Sequence, residues 1–226
     1  MRAVLGWYVV VQALGAAAFV LAGPVLQRLP DRGYGVSKSL GVLMAGLLLW
    51  LGTALGLLRN DARGAVVVLA MGVTAAAVAA TRRRLPGLRV VVASELVFAA
   101  AFAGGCLVRS LDPAVAHTEQ PMDLMLLGAV SASPAVPPVD PWLAGYPVGY
   151  YYLGYWLVST LGFLTGQPPE IAYNLGLAKG RAARSGATAW APTWPPRRAG
   201  GGIGRGCRWA RAWARRWSWR AAPTST

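Results

Sequence analysis

Glu119 and Asp123 stand four residues apart in the stretch EQPMDLMLLGAV, and on a helix that spacing puts both carboxylates on one face. Thr118 occupies the place of a helix N-cap, Pro121 suits a first helical turn, and residues 122–130 are apolar enough to rest along a membrane surface. A carboxylate pair at a lipid boundary suits a general base that deprotonates an acceptor, or ligands for a divalent cation holding a diphosphate. The plainer reading is that acids gather at the positive end of a helix. Further along, Pro137, Pro138 and Pro141 stiffen the segment PPVDPWLAG, and extended geometry is imposed on Asp140 by the proline after it. Held in that way, Asp140 either binds a sugar hydroxyl or a metal, or simply forms a turn. Trp142 beside it is a candidate substrate contact. Tyr150, Tyr151 and Tyr152 follow at the mouth of the next apolar segment. They read either as an interfacial belt or as a stacking surface. Three in succession on a helix cover nearly its whole circumference, so at least one must face the protein. His117 is solitary and reads as a loop residue.

These groups need elements to hold them. The chain has 226 residues, 55% of them hydrophobic and 13% charged, with a mean hydropathy of +0.44, too apolar for an ordinary soluble domain. Apolar runs over 3–22, 40–58, 64–80, 90–108 and 150–166 are each close to the ~20 residues that cross a bilayer core. Each must be a helix, since in lipid only a helix satisfies its own backbone without closing a barrel. A cleaved signal peptide is the rival reading of the first run, but that run is longer than the ~7–15 apolar residues such a segment carries. Residues 24–39 read as a loop broken by Pro30 and Gly33. Residues 171–178 look like the opening of a sixth helix that goes no further.

Glu95 lies inside the fourth run, where an ionisable group is costly unless it faces other helices or a wet cavity. Two readings stand: a buried carboxylate near a site, or a group that reaches the interface or pairs with arginine.

The net charge of +14 suggests nucleic acid, but its distribution does not. Residues 179–226 hold Lys179, ten arginines, no acid and six of the ten tryptophans, and from 179 leucine, valine and phenylalanine vanish. Such a segment cannot bury a core. It reads as an out-of-frame translation of GC-rich DNA, with an Arg/Trp-rich arm for nucleic acid or anionic lipid as the competing reading. No nucleic-acid partner is expected. Cys106 and Cys207 make neither a disulfide framework nor a zinc spacing. Placing the connectors around Arg28 and Arg82 in the cytoplasm puts seven basic residues, Lys38 among them, inside against four outside. The loop 109–149 is then extracytoplasmic.

Taken together, EQPMD, PPVDPWLAG and GYYYLGY, with LPDRGYGVSKSLG and the Glu95 helix, resemble the YYY membrane protein family (DUF2298), a domain of unknown function found in bacteria and archaea. The resemblance covers about residues 1–178. Gln120 and Gly149 depart from its pattern, which usually has lysine and asparagine there. The resemblance implies a polytopic helical membrane protein, distantly similar to GT-C glycosyltransferases that use polyprenyl-phosphate-linked sugars. In those enzymes an extracytoplasmic acid is the base or metal ligand, and the positions matching the motif are Glu119 and Asp123. Because the family is far longer than this chain, the resemblance also implies an N-terminal piece of the bundle, inactive by itself.

The expectation is therefore an all-α, polytopic bundle of about five spans over residues 1–178, in the cell membrane, with one long extracytoplasmic loop and a disordered or artefactual tail at 179–226. Its partners would be the lipid bilayer and a polyprenyl-phosphate sugar donor, with a divalent cation as the cofactor such a site would use. The alternative is a non-catalytic membrane component of assembly or transport whose loop docks a partner.

Overall fold

With scarcely a charge in it, Arg2–Leu21 forms α1, twenty residues long. A short turn of helix, Gly23–Leu26, is α2. Then follow α3 (Tyr34–Ala54), α4 (Ala62–Ala79), α5 (Leu88–Leu111), α6 (Gln120–Ala132), α7 (Leu153–Thr165) and α8 (Pro169–Thr188). The computed structural model describes residues 1–29, 31–80, 86–143 and 145–188, all within the unit Met1–Pro192. Among the described residues there is one isolated bridge, Val139 to Pro147, and no strand.

The all-helical, multi-span expectation holds, with four helices (α1, α3, α4 and α5) long and apolar enough to cross a membrane. The segment expected as a fifth span, 150–166, is shorter than that. Its helix α7 has 13 residues, about 20 Å at 1.5 Å per residue, less than the ~30 Å hydrocarbon core.

Two boundaries move for identifiable reasons. The stretch 24–39 is not all loop, because α3 starts at Tyr34. Asp31 makes that start: its Oδ1 accepts from the Gly33 N–H (3.0 Å) and its Oδ2 from the Gly35 N–H (2.7 Å), which satisfies donors a helix start leaves open. Arg32 and Gly33, at φ +54° and +83°, turn the chain back over the helix. At the other end α3 stops at Ala54, not 58, because Gly56 takes φ +71° and the Leu57 and Leu58 N–H groups fold back onto the Gly52 carbonyl. The opening expected at 171–178 belongs to α8, which continues to Thr188. The rest of the tail lies outside the described residues.

The core is built where helices approach closely. A Cβ on Gly41 would lie 2.3 Å from the Leu14 carbonyl oxygen, so the backbones of α1 and α3 meet as small-residue interfaces in membranes allow. Around them Trp7, Val11, Leu49, Val130 and Trp156 are buried. By contrast Leu47, Leu51, Met71, Val78, Leu96 and Leu107 point outward and are exposed. That outward apolar face is what a bilayer covers, since water would penalise it by about 25 cal/mol per Å².

Candidate functional site

α6 begins just after a residue in the left-handed region, Thr118 at φ +46°. Glu119, not Thr118, is its N-cap and makes no side-chain capping bond. Asp123 therefore falls in the first turn, and its N–H donates to the Glu119 carbonyl (3.0 Å). The buried Leu126, Leu127 and Val130 dock the helix against the bundle, so α6 does not merely lie along a surface. Its end is pinned by Asn60, whose Nδ2 donates to the carbonyls of Val130 (2.7 Å) and Ser133 (2.9 Å).

Both oxygens of Asp123 are taken by tyrosines from two other helices. Tyr155 of α7 donates to Oδ1 (2.5 Å) and Tyr173 of α8 to Oδ2 (3.1 Å). Burial first, and the bond to Asp123 second, push the Tyr173 hydroxyl up to about 12, so at neutral pH it stays protonated and donates. Tyr150 and Tyr151 join this corner from the loop. Their rings stack with centroids 4.0 Å apart and the Tyr150 hydroxyl donates to that of Tyr151 (2.7 Å). That bond chiefly, with smaller contributions that include the charges of Glu119 and Asp123, raises the Tyr150 hydroxyl to about 12. Glu119, Asp123, Tyr150, Tyr151, Tyr155 and Tyr173 thus form one acid-and-phenol cluster.

Other expected residues lie elsewhere. The tyrosine triplet precedes α7 instead of forming its first turn, and only Tyr152 turns inward, its hydroxyl accepting from Trp50 Nε1 (3.2 Å). Asp140 closes its own loop: Oδ1 accepts from the N–H groups of Trp142 (2.8 Å) and Leu143 (2.9 Å), an Asx turn. The Trp142 side chain it helps to present is 65% exposed. His117 pairs with Asp112 (2.9 Å) on the surface.

Glu95 occupies a second polar centre. Its Oε1 accepts from Lys38 Nζ (2.5 Å) and the Tyr34 hydroxyl (2.8 Å), and its Oε2 from Gln12 Nε2 (2.5 Å). Lys38 also lies 5.0 Å from the ring centroids of Tyr34 and Phe98. The carboxylate's ion-pair partner is thus a lysine from α3 and not an arginine near its own helix end. Expected in the cytoplasmic connector, Lys38 is instead buried in α3, which lowers the inside count of basic residues from seven to six.

For a divalent cation the fit is poor. Among the described residues no three His, Cys, Asp or Glu side chains are grouped to hold a metal. Sequence reading missed Tyr173, Tyr155's bond to Asp123, and the roles of Lys38 and Gln12. A lysine or glutamine inside an otherwise apolar helical run was the available signal; Tyr173 offered none.

Four apolar helices of spanning length with outward-facing leucines and valines define a multi-pass integral membrane protein. The chain belongs to the uncharacterized membrane protein family DUF2298, whose profile matches residues 44–191, from mid-α3 through the acid-and-tyrosine cluster and past Ala178. No curated protein and no solved structure matches it.

Proposed function

We propose that the acid-and-tyrosine cluster transfers a sugar from a polyprenyl-phosphate-linked donor to an acceptor hydroxyl, in the cell membrane, with the 109–149 loop on the extracytoplasmic side. The observation that carries this reading is the fixation of Asp123 by two tyrosine hydroxyls from separate helices. A carboxylate has about four lone-pair positions, so two such bonds orient Asp123 and leave it able to accept a proton. In the transfer, Asp123 takes the acceptor's hydroxyl proton as the acceptor oxygen bonds to the sugar's anomeric carbon. The bond from that carbon to the phosphate oxygen breaks, and polyprenyl phosphate leaves with the electron pair. Glu119, exposed one turn away, supplies a second negative charge that favours the proton's departure. The exposed Trp142 and the Tyr150–Tyr151 stack offer aromatic faces to the sugar, while Tyr152 and Asp140 shape the loop that presents them.

The test uses a full-length protein that carries this segment, in proteoliposomes with a radiolabelled polyprenyl-phosphate hexose. Asp123→Asn is expected to lower transfer by about 100- to 10,000-fold, the range of general-base catalysis, with membrane insertion unchanged. Transfer retained in Asp123→Asn removes the assignment. A second reading, a non-catalytic component whose loop docks a partner, draws on the exposure of Trp142, Tyr146 and Tyr151. It predicts tolerance at Asp123 and Glu119 together with sensitivity at those aromatic residues.

A further inference from the structure

A cavity of about 410 Å³ opens between α5 and α8, beside the cluster just described. Val108 and Leu177 give it apolar walls, and Gly105, Gly176 and Gly180 also line it, Gly180 at a point where a Cβ would meet nothing within 4 Å. Two polar side chains reach it: Arg109, from the last turn of α5, and Gln120, from the first turn of α6. Arg109 is held in place, its Nε donating to Asn174 Oδ1 (2.7 Å) and its Nη2 to the Ala114 carbonyl (3.1 Å). A guanidinium carries five N–H donors, so these two bonds fix the fork without exhausting it. Among the described residues no carboxylate pairs with Arg109. Gln120 Oε1 is buried without a hydrogen-bond partner, which ordinarily costs about 1–3 kcal/mol. Its Nε2 carries two N–H donors, which is what a second contact to an anion needs.

The position of Arg109 relates it to the reacting group. Its charge acts on the hydroxyl of Tyr173, the residue that donates to Asp123. Gln120 and Asp123 share the first turn of α6. A group seated on Arg109 and Gln120 therefore lies close to Tyr173 and to the turn of α6 that carries Asp123.

We propose that the α5–α8 cavity binds the phosphate of an anionic ligand, with Arg109 as the fork that receives it, Gln120 as a second contact and the glycine-lined apolar walls taking the start of a hydrocarbon chain. Within the sugar-transfer reading, on which the choice of lipid rests, this is the seat of the donor's phosphate and of the polyprenyl phosphate that leaves. Arginine suits the role because its planar, always-charged fork matches phosphate oxygens in pairs.

The experiment reads binding alone and needs no turnover. Full-length protein in nanodiscs is titrated with tritiated polyprenyl phosphate, and unlabelled polyprenyl phosphate, polyprenol and inorganic pyrophosphate compete. Wild type is expected to bind, with polyprenol competing at least tenfold more weakly than polyprenyl phosphate. Competition by pyrophosphate as strong as that of the lipid assigns the site to a soluble phosphate; weak competition assigns it to the lipid. Arg109→Gln is expected to weaken binding at least tenfold and Arg109→Lys less, while Arg59→Gln, an exposed arginine in the α3–α4 connector, leaves it unchanged. Gly180→Leu adds a bulky side chain at a lining position where a Cβ meets nothing within 4 Å, and is expected to weaken binding even if Arg109→Gln fails to fold. Equal competition by polyprenol, or unchanged binding in Arg109→Gln or Gly180→Leu, overturns the proposal. Wild type that binds the lipid yet transfers no sugar removes the proposed activity and leaves this site standing.

Discussion

Lys38 and Glu95 are the residues on which the apolar part of the bundle depends most. An unpaired lysine or carboxylate inside a span costs up to about 2.5–3.5 kcal/mol by insertion measurements, that figure being for the helix centre, and here the two offset each other at 2.5 Å. Lys38→Met strands the Glu95 charge and is expected to destabilise the protein by about 3–5 kcal/mol, seen as a lower unfolding temperature in detergent. Lys38→Met combined with Glu95→Leu is expected to recover most of that loss, because no charge is left buried. The Asp123 corner behaves differently. Tyr155→Phe deletes one hydrogen bond to a charged group, worth about 1.5–3 kcal/mol, and is expected to lower the turnover of the proposed sugar transfer by about 10- to 150-fold. The Michaelis constant for donor should change little, as befits a residue that acts by positioning Asp123. Equal changes in both constants would assign Tyr155 to substrate binding.

Between helices, the close crossing of α1 and α3 is the feature most exposed to mutation. Gly41→Val puts branched carbons against the Leu14 carbonyl, which lies 2.3 Å from where a Cβ would stand. A loss of about 1–3 kcal/mol is expected, measured by the same thermal unfolding. Gly72→Ala on α4, where a Cβ meets nothing within 4 Å, is expected to be neutral or to stabilise by up to about 1 kcal/mol. The helices themselves were legible from the sequence, since runs of Val, Leu and Ala of bilayer length admit few other structures. Their edges were less so. Tyr34 to Ser39 look polar enough for a loop because Lys38 and Tyr34 have their partner in Glu95, which no local pattern discloses. The acid pair at 119 and 123 could be found by spacing, and the tyrosine triplet by its repetition. Tyr173 could not, because its bond to Asp123 joins residues 50 apart.

Across the whole molecule, the α3–α4 connector and the loop after α6 meet at one end. Asn60 binds the carbonyls of Val130 and Ser133, and its own N–H donates to the Pro134 carbonyl (3.0 Å). Four spans in alternation require this, with the connector around Gln27 at the opposite end. In a chain whose native cysteines are replaced by serine, Leu57→Cys and Ala135→Cys are expected to react with an impermeant thiol reagent from the same side of sealed vesicles. Gln27→Cys should react only after the membrane is opened. Labelling of Ala135→Cys from the outer face of intact cells would support the extracytoplasmic placement, and labelling only from within would reverse it. The pairing of Lys38 with Glu95 also imposes an order on biogenesis. The two are 57 residues apart, so at about 5–20 residues per second the ribosome delivers the carboxylate roughly 3–11 s after the ammonium. Over that interval the nascent α3 carries a charge whose partner has not yet been made.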